Sequence, residues 1–255
     1  MSDQSPEATE PTGADIDPPL SLIDHLIELR SRLVKSLVAV LAVVLVLVPF
    51  ARPLYTLFSQ PLVRHLPEGS SMVAIDVASP FFAPFKLVLL LGLLLAMPFV
   101  IYQIWAFVAP GLYRHERRLA KPLLAASLLL FYAGCAFAYF AVFPVVFAFF
   151  TAMAPDGVAV MTDINRYLDF ILALFLAFGL AFQVPVAVIV LVALGLVTPE
   201  SLAKVRGYVI IGAFAIAMLV TPPDMISQTL LALPVLLLYE LGIVMSRLLV
   251  KRSRA

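Results

Sequence analysis

Four stretches of this chain run for 16 to 30 residues without a single charge: Ser36 to Ala51, Leu87 to Val108, Pro122 to Thr151 and Phe170 to Thr198. About 20 apolar residues in a helix cover the ~30 Å hydrocarbon core of a bilayer. An isolated strand would leave its backbone groups unpaired in lipid, so each stretch must be helical. A further stretch, Gly207 to Met245, is interrupted by Thr221-Pro222-Pro223-Asp224, and consecutive prolines with an acid do not continue a helix at depth. It therefore reads as two short helices. The first, Gly207 to Val220, has 14 residues and reaches only about 21 Å, so either the bilayer thins there or the hairpin tip sits below the surface. The expectation is an all-α membrane protein with six crossings, the fifth and sixth helices short. Composition agrees, with 63% hydrophobic and 13% charged residues, against about a quarter charged in soluble domains.

Direction follows from the basic residues, which gather on the cytoplasmic side. With the amino terminus inside, the outer segments hold only Arg52, Arg64, Lys86 and Arg166, leaving the other 13 of the 17 Lys and Arg inside. Both ends are then cytoplasmic. Asp3, Glu7, Glu10, Asp15 and Asp17 with four prolines precede the first basic residue, Arg30, which is the reverse of a signal peptide's charge. Residues 1–20 are expected to form a disordered acidic tail, 21–247 the six-helix domain and 248–255 a basic tail. The net charge of +1 gives no reason to expect a nucleic-acid partner. The single Cys135 allows neither an intrachain disulfide nor a cysteine-built metal site.

The outer connection from Arg52 to Lys86 carries Leu54, Leu57, Phe58 and Leu62 at helical spacing and is expected to cap the outer face. The second outer connection, Ala152 to Asp169, contains the turn signal Pro155-Asp156-Gly157. Pro49, Pro98, Pro144, Pro185 and Pro234 fall within apolar helices. Each removes a backbone bond and can bend the axis, and five together allow a curved wall, although membrane helices tolerate proline well.

The densest polar signal lies at the inner face. Ser21 and Asp24 read as a capping pair opening a helix that runs into the first crossing. Leu22, Leu26, Leu29 and Leu33 form one stripe of that helix, and His25, Glu28 and Arg32 share another face. A second acid, Glu116, stands among Arg114, Arg117, Arg118 and Lys121 in the connection between crossings two and three. Each acid has a bland alternative, a local ion pair with Arg32 for Glu28 and with Arg117 or Arg118 for Glu116.

His25-Leu26-Ile27-Glu28-Leu29-Arg30-Ser31-Arg32-Leu33 resembles the amino-terminal signature of the TatC family, the large multi-spanning subunit of the twin-arginine protein translocase. Ala78-Ser79-Pro80-Phe81, Tyr102-Gln103-Ile104-Trp105-Ala106-Phe107, Leu112 to Leu119, Phe140-Ala141-Val142-Phe143-Pro144 and Leu219-Val220-Thr221-Pro222-Pro223-Asp224 resemble the same family in the same order, from Ser21 to Arg247. The resemblance implies a curved, glove-like six-helix wall in the bacterial inner membrane, acting as receptor for signal peptides that carry paired arginines. Glu28 and Glu116 match the family's recognition glutamates. The pairing suits the chemistry, because a guanidinium engages a carboxylate in a two-pronged fork that lysine cannot reproduce. Arg30, Phe107 and Tyr113 are expected to assist by positioning.

The resemblance further implies an oligomeric complex with TatA-like and TatB-like single-helix subunits that exports folded proteins at the expense of the proton-motive force. Met218, Thr221 and Gln228 match the docking region for such helices, and Gln183 lies in Phe182-Gln183-Val184-Pro185 where many relatives carry glutamate. A glutamine cannot titrate there, so only hydrogen bonding to a partner or to the helix wall is left to it. Glu240, within reach of Arg247, receives no role. A secondary transporter of a small solute would also show kinked helices with polar groups at depth, but the repeats expected of such folds are missing. No enzyme chemistry is expected: His25, His65 and His115 lie in or beside polar connections, and no nucleophile with a base, metal-ligand set or phosphate-binding glycine loop is found. No cofactor is expected either.

Overall fold

The structure, a computed structural model, describes residues 22–57, 72–108, 117–153, 162–220 and 225–253. Helix α1 (Leu22–Leu47) passes through a 3-10 turn at Val48–Phe50 into α2 (51–57). A two-residue strand β1 (Met72–Val73) precedes α3 (Ser79–Val108). Next come α4 (Arg117–Phe137), a π-helical segment at Ala138–Val142 and α5 (Phe143–Ala152). Strand β2 (Thr162–Asp163) leads into α6 (Ile164–Ala181) and α7 (Val184–Ala193). The short α8 (Pro199–Lys204), then α9 (Arg206–Val220) and α10 (Met225–Ser253), complete the described chain.

Among the described residues, five helical spans are long and apolar enough to cross a membrane, and α9, at 15 residues, is the short sixth. The expected all-helical fold is therefore present, with one correction. The sixth helix is not short: α10 holds 29 residues, taking Pro234 into its interior and continuing past Met245 through most of the segment expected to be a basic tail. The acidic tail, residues 1–20, and the loop signals at Phe58, Leu62 and Pro155-Asp156-Gly157 lie outside the described residues.

The prolines are accommodated in different ways. Pro98 cannot donate to the Leu94 carbonyl one turn back, and the Tyr132 hydroxyl of α4 donates to that carbonyl instead, at 2.8 Å. Ahead of Pro144 the helix widens, with the Phe143 amide donating to the Ala138 carbonyl, a π-bulge that absorbs the lost bond. Pro185 sits in the first turn of α7, where its missing donor has no helical partner to lose. Gly195, at φ 70°, ends α7 in a Schellman motif: its amide donates to Val192 and that of Leu196 to Leu191. The Thr198 hydroxyl and Ser201 then cap α8 reciprocally.

Helix α1 packs chiefly on α3, α3 and α4 on α6, α7 on α10, and α10 on α9. One core joins α4 through α5 with α6, α9 and α10 around Val142, Leu174 and Phe178; another joins α3, α4 and α7 around Ile101, Trp105 and Phe131. At the end carrying the starts of α3 and α6, β1 pairs in parallel with β2, Asn165 donates to Ser79 at 2.5 Å, and Lys86 pairs with Asp169 at 2.7 Å. The other end, where α1, α4 and α9 begin and α3 and α10 finish, carries most of the basic residues and is called the basic end below.

Candidate functional site

At the basic end the two faces of α1 behave oppositely. Leu26, Leu29 and Leu33, in the apolar stripe, are exposed, whereas the face bearing His25, Glu28 and Arg32 turns to α3. The His25 ring stacks on Phe107 with centroids 4.2 Å apart and planes at 22°. Arg32 donates to Glu28 Oε1 from Nε at 2.8 Å and from Nη2 at 2.6 Å. Its third nitrogen, Nη1, donates to Gln103 Oε1 at 3.2 Å. Gln103 is buried on α3, while the Glu28 and Arg32 side chains keep 30% and 24% of their surface. This is a half-buried cluster, reachable from water. An i, i+4 ion pair of that exposure contributes about 0.3–0.5 kcal/mol by itself.

Of the residues expected to form the recognition site, Glu28 lies in this cluster, Phe107 stacks beside it, and Arg30, two residues on, is exposed on a different face of α1. Tyr113 and Glu116 lie outside the described residues; the residue after Glu116, Arg117, opens α4 at this same end. The local alternative for Glu28, an ion pair with Arg32, is thus present, and sequence reasoning missed Gln103 as its third member. The signal for Gln103 was there, a polar side chain inside a run otherwise free of strong polarity.

The expected docking residues separate. Met218 is exposed on α9, Gln228 is half-buried near the start of α10, and Thr221 lies outside the described residues. Gln183 stands at the break between α6 and α7, and its Nε2 donates to the Ser127 carbonyl of α4 at 2.8 Å. The Ser127 hydroxyl accepts from Trp105 Nε1 at 2.9 Å. These three side chains line a cavity of about 410 Å³ with Ile101, Ile104, Phe131 and Val190. A donor is needed against that carbonyl, which glutamine supplies in its neutral form. Glu240 pairs with Arg206, the first residue of α9, through both carboxylate oxygens, at 2.5 and 2.6 Å. It thereby ties α10 to α9 rather than meeting Arg247 along its own helix.

Known proteins place this geometry. A family model described as TatC: Sec-independent protein translocase protein (TatC) matches residues 24–234. A Sec-independent protein translocase protein TatC from Azotobacter chroococcum mcd 1 is 57% identical over 229 residues, 90% of each chain. The protein of the same description from Escherichia coli strain K12 is 55% identical over 233 residues, covering 91% of this chain and 90% of the relative. A crystal structure titled Twin Arginine Translocase Receptor- TatC is similar with a TM-score of 0.79 at 37% identity, covering 88% of this chain and 98% of that one.

Proposed function

The chain belongs to the TatC family of Sec-independent protein translocase proteins, and from that premise we propose that its basic end faces the cytoplasm and grips twin-arginine signal peptides through Glu28 and Glu116. As a TatC protein it is a non-enzymatic component of the Tat translocase and a multi-pass protein of the bacterial inner membrane. The observation that carries the proposal is the Glu28 carboxylate, half-buried at the basic end and already engaged by a guanidinium. A carboxylate that holds one guanidinium has the geometry and charge to hold another in its place. Glu116 supplies the second carboxylate that a pair of arginines asks for. Phe107, Tyr113 and Arg30 position the peptide around them, His25 keeping Phe107 in place by stacking.

Titration of a fluorescent twin-arginine peptide against the full-length protein in nanodiscs tests this. Hydrogen bonds to charged groups contribute about 1.5–3 kcal/mol, so Glu28→Gln and Glu116→Gln are each expected to weaken binding about tenfold or more. Glu200→Gln, exposed on α8 at the same end, should leave it unchanged. Undiminished affinity in the Glu28→Gln, Glu116→Gln double variant would remove the proposal.

TatA-like and TatB-like single-helix subunits dock, in this reading, along the α9 and α10 hairpin at Met218, Thr221 and Gln228. Supporting it, α9 leaves Ile211, Met218 and Leu219 exposed, and apolar side chains beside a few polar groups suit a membrane-helix partner. Gln183, in its cavity between α3, α4 and α7, offers a second polar contact. The proton-motive force drives export. Met218→Cys should crosslink to a cysteine in the apolar span of a copurified single-helix subunit; absence of crosslinks from α9 would move the docking surface elsewhere.

A further inference from the structure

We propose that Arg32 is an internal occupant of the Glu28 carboxylate, retained by Gln103, and that an incoming signal-peptide arginine binds by displacing it. This rests on Glu28 being a receptor carboxylate and describes how that receptor is regulated while empty. The group on Glu28 is chemically the same one the ligand would bring, a guanidinium donating at 2.8 and 2.6 Å. Both bonds end on Oε1, whereas the strongest arrangement gives each carboxylate oxygen its own donor. Arg32 is tied to the backbone one turn away and cannot reach that arrangement as freely as a separate peptide can. Its contact is weaker than the one that replaces it.

Charge argues for exchange rather than addition. An unpartnered carboxylate at a half-buried site is costly, and Arg32 neutralises it while no ligand is bound. Two guanidinium groups on one carboxylate would leave an uncompensated positive charge there. Gln103 gives Arg32 a place to stay: its buried Oε1 already accepts Nη1 at 3.2 Å, so the displaced side chain keeps a neutral acceptor on α3. The occupant therefore leaves Glu28 without unfolding any element.

Such competition has a signature. When a site is open for only a fraction of the time, every ligand's apparent affinity falls by that same fraction. Emptying the latch should strengthen an arginine-arginine peptide and an arginine-lysine peptide by one common factor, leaving their ratio unchanged. A role for Arg32 in orienting the carboxylate would instead change the ratio or weaken both.

The experiment titrates both peptides against the full-length protein in nanodiscs and in three variants. Arg32→Gln removes the occupant, and Gln103→Glu draws it away with a competing carboxylate. Lys35→Gln removes the same charge from an exposed position one turn on, away from Glu28. The expected result is a gain of about two- to tenfold for both peptides in the first two variants, the range of an exposed ion pair with one added hydrogen bond. Lys35→Gln should show no such gain, and Arg32→Gln should lose its gain when combined with Glu28→Gln. Unchanged or weaker binding in both latch variants, a gain confined to one peptide, or an equal gain in Lys35→Gln overturns the latch. If Glu28→Gln alone leaves the wild-type affinity intact, the receptor reading fails and the latch with it; if Glu28→Gln weakens binding yet neither latch variant strengthens it, only the latch fails.

Discussion

Single side chains in this protein repair what the backbone loses. Pro98 deprives the Leu94 carbonyl of its helical donor, and Tyr132, a residue of another helix, supplies the replacement at 2.8 Å. Hydrogen bonds between membrane helices average about 0.6 kcal/mol in double-mutant cycles, so Tyr132→Phe should cost about that much. The cost should shrink on a Pro98→Ala background, where the amide restored by the substitution donates to the Leu94 carbonyl along the helix. Reversible unfolding in mixed micelles measures the cycle, and additivity of the two substitutions would show that the hydroxyl does not serve the proline's gap. The sequence displays Pro98 as a helix bender but says nothing of Tyr132, because a hydroxyl's partner depends on which helix lies opposite. Gln103 escaped for the same reason: the i, i+4 step predicts the ion pair of Arg32 with Glu28, and only the packing of α1 on α3 adds the third member.

Helix α4 meets α6 at two glycines placed reciprocally. A Cβ on Gly134 would stand 2.5 Å from the Phe178 carbonyl oxygen, and one on Gly179 would stand 2.7 Å from the Phe131 ring. The first obstacle is backbone and cannot turn aside, so Gly134→Ala must push the helices apart. Overpacking of this kind costs about 1–3 kcal/mol, more than the roughly 1 kcal/mol that alanine gains over glycine in a helix. The variant should unfold at lower denaturant in mixed micelles, whereas an unchanged midpoint would mean that the crossing is looser than these distances. Crossings of this kind are hard to read from a sequence, since glycine at a close approach looks the same as glycine elsewhere. Hydrophobic periodicity was equally silent on which face of α1 packs. In lipid the leucine stripe Leu26, Leu29 and Leu33 can face outward, and it is the polar face with Glu28 that meets the protein. Charge-free runs located the crossings but not their ends: α3 begins at Ser79 and α6 at Ile164, because Lys86 and Asp169 pair with each other at the bundle end instead of terminating their helices.

Across the whole molecule, the number of crossings and the charge asymmetry were legible because both are sums over many residues, which no single packing detail can reverse. Six crossings bring the starts of α1, α4 and α9 to one end together with the finish of α10, and 13 of 17 basic residues lie in the segments that this pattern assigns to that end. Retention of Lys and Arg in the cytoplasm is the ground for the orientation proposed above, in which Glu28 would face signal peptides before export. The orientation can be read with an impermeant maleimide on a Cys135→Ser background. Arg166→Cys, exposed in the first turn of α6, and Lys204→Cys, exposed at the end of α8, sit at opposite ends. In intact spheroplasts the reagent should label the Arg166→Cys protein at once and the Lys204→Cys protein only after permeabilisation. The reverse pattern would put the Glu28 carboxylate on the side that an unexported peptide never reaches, and would remove the receptor function together with the orientation.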